Sequence, residues 1–273
     1  MNGSLGMQEM GFNPPVIDDS NASFFERQVS DPRQPFQGGF EVTDVLQGFA
    51  APYSRSIIPR SEWDDHIRRQ EEQCSSPDHW RLSAKVPVLD QNGYGYCWCY
   101  GTVGAIMTAY AQMGDLAPHL SAMGPAWQGK NGRNQGGWAG EAIKYIKKYG
   151  IPTLDVWPEH SNRVDPRDEA VKRSAAMHNI VGYEELPRNN FDALVSALLD
   201  PERPVPVTMG LNWWGHLIYG VKAVRIRSGQ YGVKIVNSWK PSWGQEGCSV
   251  LAESKAKAFE QIAITQVKPR VSV

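Results

Sequence analysis

The last third of the chain constrains the fold most strongly, because it consists of strand-like segments separated by short turns. The segments are VPVTMG, HLIYGVKAVRIR, YGVKIVNSW, CSVLAE and IAITQV. The pair VKAVRIR and YGVKIVN flanks the turn residues SGQ, which is the pattern of a β-hairpin. Neighbouring strands with such short connections pair antiparallel. This part of the sequence therefore predicts an antiparallel sheet.

Helical patterns come before this sheet. Apolar residues recur at helical spacing from Cys97 to Met113, and Gly114 ends that predicted helix. Further helices are predicted over residues 61–73, 139–149 and 191–199. Helices followed by an antiparallel sheet predict an α+β fold.

Composition excludes several classes of protein. The 273 residues carry a formal net charge of −1, so no overall basic field exists to attract nucleic acid or an anionic membrane. No apolar run reaches the length that spans a bilayer. The first residues, MNGSLGMQEMGFNPP, lack the basic and apolar regions of a secretory signal peptide. We therefore expect no nucleic-acid partner, no membrane partner and no signal-peptide export.

Residues 1–58 differ from the rest, because they are rich in Gly, Pro, Asn and Ser and poor in apolar side chains. Ordering such a segment costs about 1–2 kcal/mol per residue, which so few apolar side chains cannot offset alone. We therefore predict an extended N-terminal arm at 1–58 and one folded domain at 59–273. Contacts with neighbouring subunits of a larger assembly would order the arm. Its expected anchors are Phe24, Phe25, Phe36, Phe40 and Phe49.

The cysteines argue against a disulfide framework and against a metal site. Only Cys97 and Cys99 are close together, whereas Cys74 and Cys248 are distant from them and from each other. A small secreted domain would show paired spacings, and a zinc site would need a second close pair of cysteines or histidines. We expect neither a metal nor a cofactor.

Cys97 is the candidate nucleophile. It lies in DQNGYGYCWCYG, between two aromatic residues, after a Gly-rich turn and at the start of the predicted helix. Unpaired backbone N–H groups and the helix dipole favour a thiolate at that position. Cys99 lies about 200° further around the helix and is expected to be a core residue.

A cysteine that attacks an acyl group needs a base, a group that orients the base, and donors for the oxyanion. His216 begins an apolar strand in WWGHLIYGV, and a lone histidine there is either satisfied in the core or functional. Asn237 ends another strand in VKIVNSW. Gln91 precedes Cys97 by six residues and offers a neutral amide donor beside the thiol.

These segments together resemble the papain-like cysteine peptidases. DQNGYGYCW resembles the family's active-site segment, and HWRLSAKVPVLDQ resembles the run before it. NQGGWAGEAIKYIKKYGI resembles its Gly-Gly turn and following helix, and VNSWKPSWG resembles its Asn-Ser-Trp segment. The resemblance extends from about Trp80 to Val267. It implies a fold of two subdomains, with a helical left half and a right half like an antiparallel β-barrel.

The resemblance also implies roles for the catalytic residues. Cys97 would be the nucleophile and His216 its base. Asn237 would accept a hydrogen bond from the imidazole and fix its tautomer. Gln91 and the Cys97 backbone N–H would form the oxyanion hole.

Four further residues would bind the substrate or protect the site. Trp239 would shield the contact between the imidazole and the asparagine. Gly136 and Gly137 would offer their backbone to an extended substrate, because glycine permits close backbone approach. Trp138 would line the pocket for the second residue before the scissile bond, so an apolar or aromatic residue is expected there.

The chain departs from the family pattern at several positions. Tyr94 and Asn134 stand where the family has two disulfide-bonded cysteines, which suits a reducing compartment. Tyr96 and Cys99 replace small residues beside the nucleophile, so a crowded cleft is expected. Residues 1–75 contain no evident long helical inhibitory propeptide.

Two main readings follow, with a third that is less favoured. The first is a peptidase acting through a Cys97 thioester, cytoplasmic or within a phage virion or other large assembly. The run RSEWDDHIRRQ with the later YCW is similar to divergent members in bacteria and phages. The second is a structural or binding component of such an assembly with an idle site. The third, a cell-wall amidase of the related Cys-His hydrolases, does not combine a residue like Gln91 with an Asn-Ser-Trp segment.

Overall fold

The computed structural model describes residues 14–30, 38–42, 48–114 and 117–269. In these residues one eight-stranded sheet has the order β1-β7-β6-β5-β4-β8-β3-β2. Its strands are β1 (Val16–Ile17), β2 (Ala51–Pro52), β3 (Ile180–Glu185), β4 (Val207–Leu211), β5 (His216–Arg227), β6 (Gln230–Val236), β7 (Cys248–Ala252) and β8 (Glu260–Val267).

The helices of the described residues precede and flank this sheet. They are α1 (Ala22–Ser30), α2 (Trp63–Gln73), α3 (Pro77–Ser83), α4 (Cys97–Gln112), α5 (Met123–Gly129), α6 (Ala139–Tyr149), α7 (Glu169–Met177), α8 (Phe191–Leu199) and α9 (Glu253–Ala256). A 3₁₀ turn, Arg60–Glu62, leads into α2. The α+β prediction is therefore confirmed.

The central strands pair antiparallel, as the sequence predicts. β5 and β6 form the expected hairpin, with Arg227 opposite Gln230 at its end. β4 lies between β5 and β8, and β7 pairs with β6. Two short strands from the N-terminal arm extend the sheet, because β1 pairs parallel to β7 and β2 pairs parallel to β3.

Helix α4 is the central helix and places its first residue, Cys97, beside the sheet. It is apolar around its whole circumference, and its residues from Cys97 to Ala111 are all buried, which is the pattern of a helix enclosed by other elements. Gly101 and Gly104 let it lie directly on β5. A Cβ at Gly101 would stand 2.7 Å from a Leu217 methyl carbon, and one at Gly104 would stand 2.5 Å from the Tyr219 ring.

The arm needs a correction to the sequence expectation, because it is not wholly extended and its described parts contact its own chain. It contains helix α1 and the strands β1 and β2. Phe25, Phe40 and Phe49 pack against the domain, whereas Phe24 is 54% exposed. Phe36 lies outside the described residues. Docking of the arm on neighbouring subunits stays a prediction.

Candidate active site

Cys97 is the first residue of α4 and is fully buried. Its sulfur accepts hydrogen bonds from the backbone N–H groups of Trp98 and Leu217. The Trp98 group belongs to the helix N-terminus, where such donors lack helical partners. The Leu217 group belongs to the residue after His216 on β5. The contact between α4 and β5 therefore brings the thiol beside the first residues of that strand.

His216 and Asn237 meet as the sequence predicts from separate strands. His216 Nε2 lies 2.7 Å from Asn237 Oδ1, so the imidazole donates its proton to the amide oxygen. The Ser238 N–H donates to the same oxygen at 2.8 Å. His216 Nδ1 is buried and has no hydrogen-bond partner among the described residues. Its lone pair is thus left to accept a proton from a neighbouring group.

Tryptophans enclose the imidazole. The Trp239 ring lies over His216, with ring centroids 4.4 Å apart and an interplanar angle of 31°. Trp214 meets His216 edge-on at 5.1 Å. Trp239 is 1% exposed, so water cannot reach the His216–Asn237 hydrogen bond from that side.

Gln91 lies beside this group, held by a residue that the sequence analysis missed. Its Oε1 accepts the Ser238 hydroxyl at 2.6 Å, and its backbone N–H donates to the Ser238 carbonyl at 2.8 Å. Its Nε2 donates to the Tyr94 carbonyl at 2.6 Å. Ser238 thus links Gln91 to Asn237. The sequence feature that could have identified Ser238 is its position directly after the candidate Asn237.

The electrostatics differ from the sequence expectation of an activated thiolate. Burial raises the pKa of Cys97 to about 12, and the lowering by the Leu217 and Trp98 N–H groups is smaller. Burial also lowers the pKa of His216 to about 4, although its bond to Asn237 opposes this. Near neutral pH the site therefore holds a neutral thiol and a neutral imidazole.

The N-terminal arm covers the cleft between the helical and sheet halves. We call residues 38–42 the strap. The N–H groups of Gly39 and Phe40 both donate to the Gly215 carbonyl, at 3.1 and 3.2 Å. A Cβ at Gly39 would lie only 2.2 Å from the Gly95 carbonyl oxygen. The strap thus lies between the residue before His216 and a residue close to Cys97.

The strap also occupies the Gly-Gly turn, where the resemblance implies substrate binding. Phe40 and Gly137 form a parallel β-bridge. The Gly137 N–H donates to the Gly39 carbonyl at 2.8 Å, and the Glu41 N–H donates to the Gly137 carbonyl at 3.0 Å. The Phe40 side chain is 7% exposed, and its ring would be 2.3 Å from a Cβ at Gly210.

Two further contacts extend the cover to both ends of the cleft. Phe25 of α1 packs edge-on against Trp214 and Trp243, with centroids 5.9 and 6.2 Å away. Trp214 Nε1 donates to the Phe25 carbonyl at 3.1 Å. At the other end, Phe49 meets the Trp138 ring at 5.1 Å.

The remaining predicted binding residues lie at this covered surface. A Cβ at Gly136 would lie 2.7 Å from the Glu41 carboxylate, so strap and turn are in direct contact. The half-buried Trp138 folds its ring back over Gly140, where a Cβ would lie 1.9 Å from it. Its position therefore depends on α6 as well as on the arm.

Hydrogen bonds join the nucleophile segment to the turn where the family has a disulfide. Asn134 Oδ1 accepts the Gly95 N–H at 2.6 Å. The Tyr96 hydroxyl donates to the carbonyl of residue 133 at 2.7 Å, and Trp98 Nε1 donates to that of residue 135 at 3.2 Å. All four cysteines are free thiols. This connection therefore does not depend on oxidation.

The described residues contain neither a metal-binding cluster nor a membrane-spanning helix. No group of three or more His, Cys, Asp or Glu side chains among them is placed to hold a metal ion. None of the helices in that part of the chain combines the length and apolar character that crossing a membrane requires.

Comparison with known proteins agrees with this geometry. The model of the papain family of cysteine proteases matches residues 76–268. Cathepsin K of Gallus gallus is 26% identical over 78% of this chain and 69% of its own length. The probable cysteine protease RD21C of Arabidopsis thaliana is 26% identical over 89% of this chain, which spans 58% of that protein. Digestive procathepsin L 3 of Tenebrio molitor superposes with a TM-score of 0.63 at 21% identity, covering 88% and 78% of the two chains.

Proposed function

Because the chain belongs to the papain family of cysteine proteases, we propose that it hydrolyses peptide bonds through a thioester at Cys97. One observation carries this proposal. His216 donates Nε2–H to Asn237 and keeps its Nδ1 unbonded beside the segment that contacts Cys97. This tautomer is the one that can take a proton from the thiol.

The reaction uses these groups in two half-steps. His216 Nδ1 takes the Cys97 proton, and the sulfur attacks the carbonyl carbon of the substrate. The negative oxygen is stabilised by N–H donors from the Cys97 backbone and the Gln91 amide. The C–N bond then breaks as the imidazolium protonates the leaving amine. Water, deprotonated by the same imidazole, hydrolyses the thioester and frees the thiol.

The proposed enzyme is latent in the described conformation. The strap bonds to the Gly137 backbone, and the Cys97 thiol is fully buried. A substrate needs the same backbone groups, so strap and substrate compete. Catalysis thus requires the strap to leave the cleft, while the domain stays folded.

The strap also supports a substrate preference. An aromatic side chain, Phe40, fills the space beside Gly137 and Gly210. A substrate in extended form at Gly137 would direct a side chain to this space. We expect an apolar or aromatic residue at the second position before the scissile bond, as the resemblance implied. A peptide library should show this preference, and a dominant acidic preference would contradict it.

An activity-based probe tests the catalytic proposal. A peptide epoxide should label Cys97 in a Gly39→Ala chain, whose added Cβ would displace the strap from Gly95. In that background, Cys97→Ala and His216→Ala should abolish both labelling and peptide cleavage. Labelling spread evenly over Cys74, Cys99 and Cys248 would refute a uniquely reactive Cys97. Labelling of Cys97 without cleavage of any peptide would favour the alternative function, a structural component with an idle site.

The cellular setting is a further proposal. The hydrogen-bonded connection at Asn134 and the four free thiols support a reducing environment, such as the cytoplasm. Incorporation in a virion or other assembly through the arm is testable by deletion of residues 1–13, which precede β1. Loss of incorporation with unchanged folding would support that role. Unchanged incorporation would place the attachment elsewhere.

A further inference from the structure

The short segment 89–91 pairs with the backbone of residues 238–240 along one edge. Along its other edge it bonds to side chains. Asp90 and Trp239 form an antiparallel bridge. The Gln91 N–H donates to Ser238, and the Lys240 N–H donates to Leu89. In such a pairing the backbone groups of the middle residue point to the opposite edge. The N–H and carbonyl of Asp90 therefore face away from Trp239.

Two consecutive side chains satisfy both of these edge groups. Glu159 Oε1 accepts the Asp90 N–H at 2.8 Å. His160 Nε2 makes a short hydrogen bond to the Asp90 carbonyl, and it must be the donor because the carbonyl only accepts. Glu159 and His160 thus take the place of a neighbouring strand at an otherwise open sheet edge.

The loop that carries Glu159 and His160 is also fixed by contacts that do not involve Asp90. Trp157 is fully buried, and its Nε1 donates to the Ser161 carbonyl at 2.9 Å. The Ser161 N–H closes a turn onto the Pro158 carbonyl at 3.1 Å. His160 has a φ of 65°, a left-handed conformation uncommon for a residue with a side chain. Such strain persists where surrounding contacts fix it, often at functional sites.

We propose that Glu159 and His160 are positioning residues, which clamp Asp90 and thereby hold Gln91 in place to stabilise the oxyanion. The inference rests on the proposed peptidase function. Gln91, which supplies the side-chain donor, directly follows the clamped Asp90. The position of the Gln91 amide therefore depends on the position of the Asp90 backbone. Misplacement of such a group by 1 Å can cost about 100-fold in rate.

The clamp should affect turnover without affecting thiol reactivity. Alkylation of Cys97 by iodoacetamide forms no oxyanion, whereas peptide cleavage does. In a Gly39→Ala background, where the added Cβ would lie 2.2 Å from the Gly95 carbonyl oxygen and displace the strap, Glu159→Ala and His160→Gly should lower kcat about 10- to 100-fold. KM and the alkylation rate constant should change less than about twofold. Glu159→Gln should restore kcat, because its amide oxygen can accept the Asp90 N–H.

A matched variant separates the clamp from backbone strain. His160→Gly removes the donor and relieves the left-handed conformation. Asn189→Gly relieves a similar φ of 53° at an exposed residue away from the clamp, and should leave kcat unchanged. Equal loss of alkylation and turnover in the clamp variants would indicate general structural damage and overturn the proposal.

Hydrogen exchange tests the clamp independently of activity. In the full chain, Glu159→Ala and His160→Gly should each speed amide exchange at Asp90 and Gln91 at least about tenfold, and Asn189→Gly should not. Unchanged exchange at these two amides would overturn the clamp. Absence of cleavage in the strap-displaced Gly39→Ala parent and in every variant made on it would instead overturn the proposed function.

Discussion

Replacing Gly39 by alanine should open the strap while leaving the catalytic residues unchanged. The added Cβ would lie 2.2 Å from the Gly95 carbonyl oxygen and 2.6 Å from its carbon, whereas ordinary contact begins at 3.4 Å. Both opposing atoms are backbone atoms beside α4, so they cannot rotate away. The strap must therefore move by about 1 Å.

A shift of this size breaks the hydrogen bonds of Gly39 itself. Its N–H donates to Gly215 at 3.1 Å and its carbonyl accepts from Gly137 at 2.8 Å. Each such bond contributes about 1 kcal/mol net. Loss of both raises the free energy of the closed strap by about 1–3 kcal/mol, so the open population should rise roughly 5- to 150-fold.

The assay is alkylation of Cys97 by iodoacetamide at pH 7.5, with adducts mapped by mass spectrometry. The closed thiol is fully buried and its pKa is about 12, so labelling proceeds from the open form. The labelling rate of Cys97 should rise by the same factor as the open population. Cys74 is exposed and serves as an internal reference whose rate should stay constant.

Two results would refute this reasoning. Labelling of Cys97 within twofold of the native rate would show that the strap does not control access. A parallel rise at the buried Cys99 and Cys248 would show global opening rather than release of the strap. Val42→Ala is the matched control, because Val42 is 50% exposed in the same strap and its truncation should leave all rates unchanged.

Three further predictions concern residues outside the strap. Ser238→Ala removes the hydroxyl donor to Gln91 and should lower kcat about 10-fold with little change in KM, measured by peptide turnover in the strap-displaced variant; an unchanged kcat would contradict it. Asn134→Ala leaves the Gly95 N–H without its acceptor, so it should cost about 1–2 kcal/mol in thermal unfolding, while reductant should not alter the native melting temperature. Burial raises the pKa of Glu260 to about 7 from an ordinary 4.5, so its stabilising contribution is complete below pH 4.5 and is lost as pH rises through 7. Relative to Glu260→Gln, the native free energy of unfolding should thus fall by roughly 3 kcal/mol from pH 4 to 8, and parallel pH profiles would contradict this.

The sequence predicted the elements that have a strong period or motif. Helices α4, α6 and α8 and the five strands from β4 to β8 were all expected, because each combines apolar spacing with an end signal. Helices α3 and α5 were missed because each has only seven residues. Helix α7 was missed because only two of its residues, Val171 and Ala175, are buried. Strand β3 was missed because its face is mostly half-buried, without clear alternation.

The candidate site likewise contains residues that the sequence predicted and contacts that it did not. Cys97, His216, Asn237 and Gln91 were found because the proposed chemistry needs these side-chain types, which leave a pattern in the sequence. The strap and the Asp90 clamp were not found because their decisive contacts involve backbone groups. Any residue except proline offers the same backbone N–H and carbonyl, so the sequence contains no signal for these pairings. Only the fold shows which backbone groups meet.

Access and ionisation of the thiol are coupled through the strap. In the closed cleft both Cys97 and His216 are neutral, because transfer of a proton between them would create two buried charges with little solvation. Water entering the opened cleft reduces this penalty and lets the helix N-terminus favour the thiolate. The thiol of the open form should therefore be more reactive than exposure of the sulfur alone would make it. By linkage, any condition that ionises the thiol should also shift the strap towards the open form. We therefore expect the arm to control the ionisation of Cys97 as well as access to it.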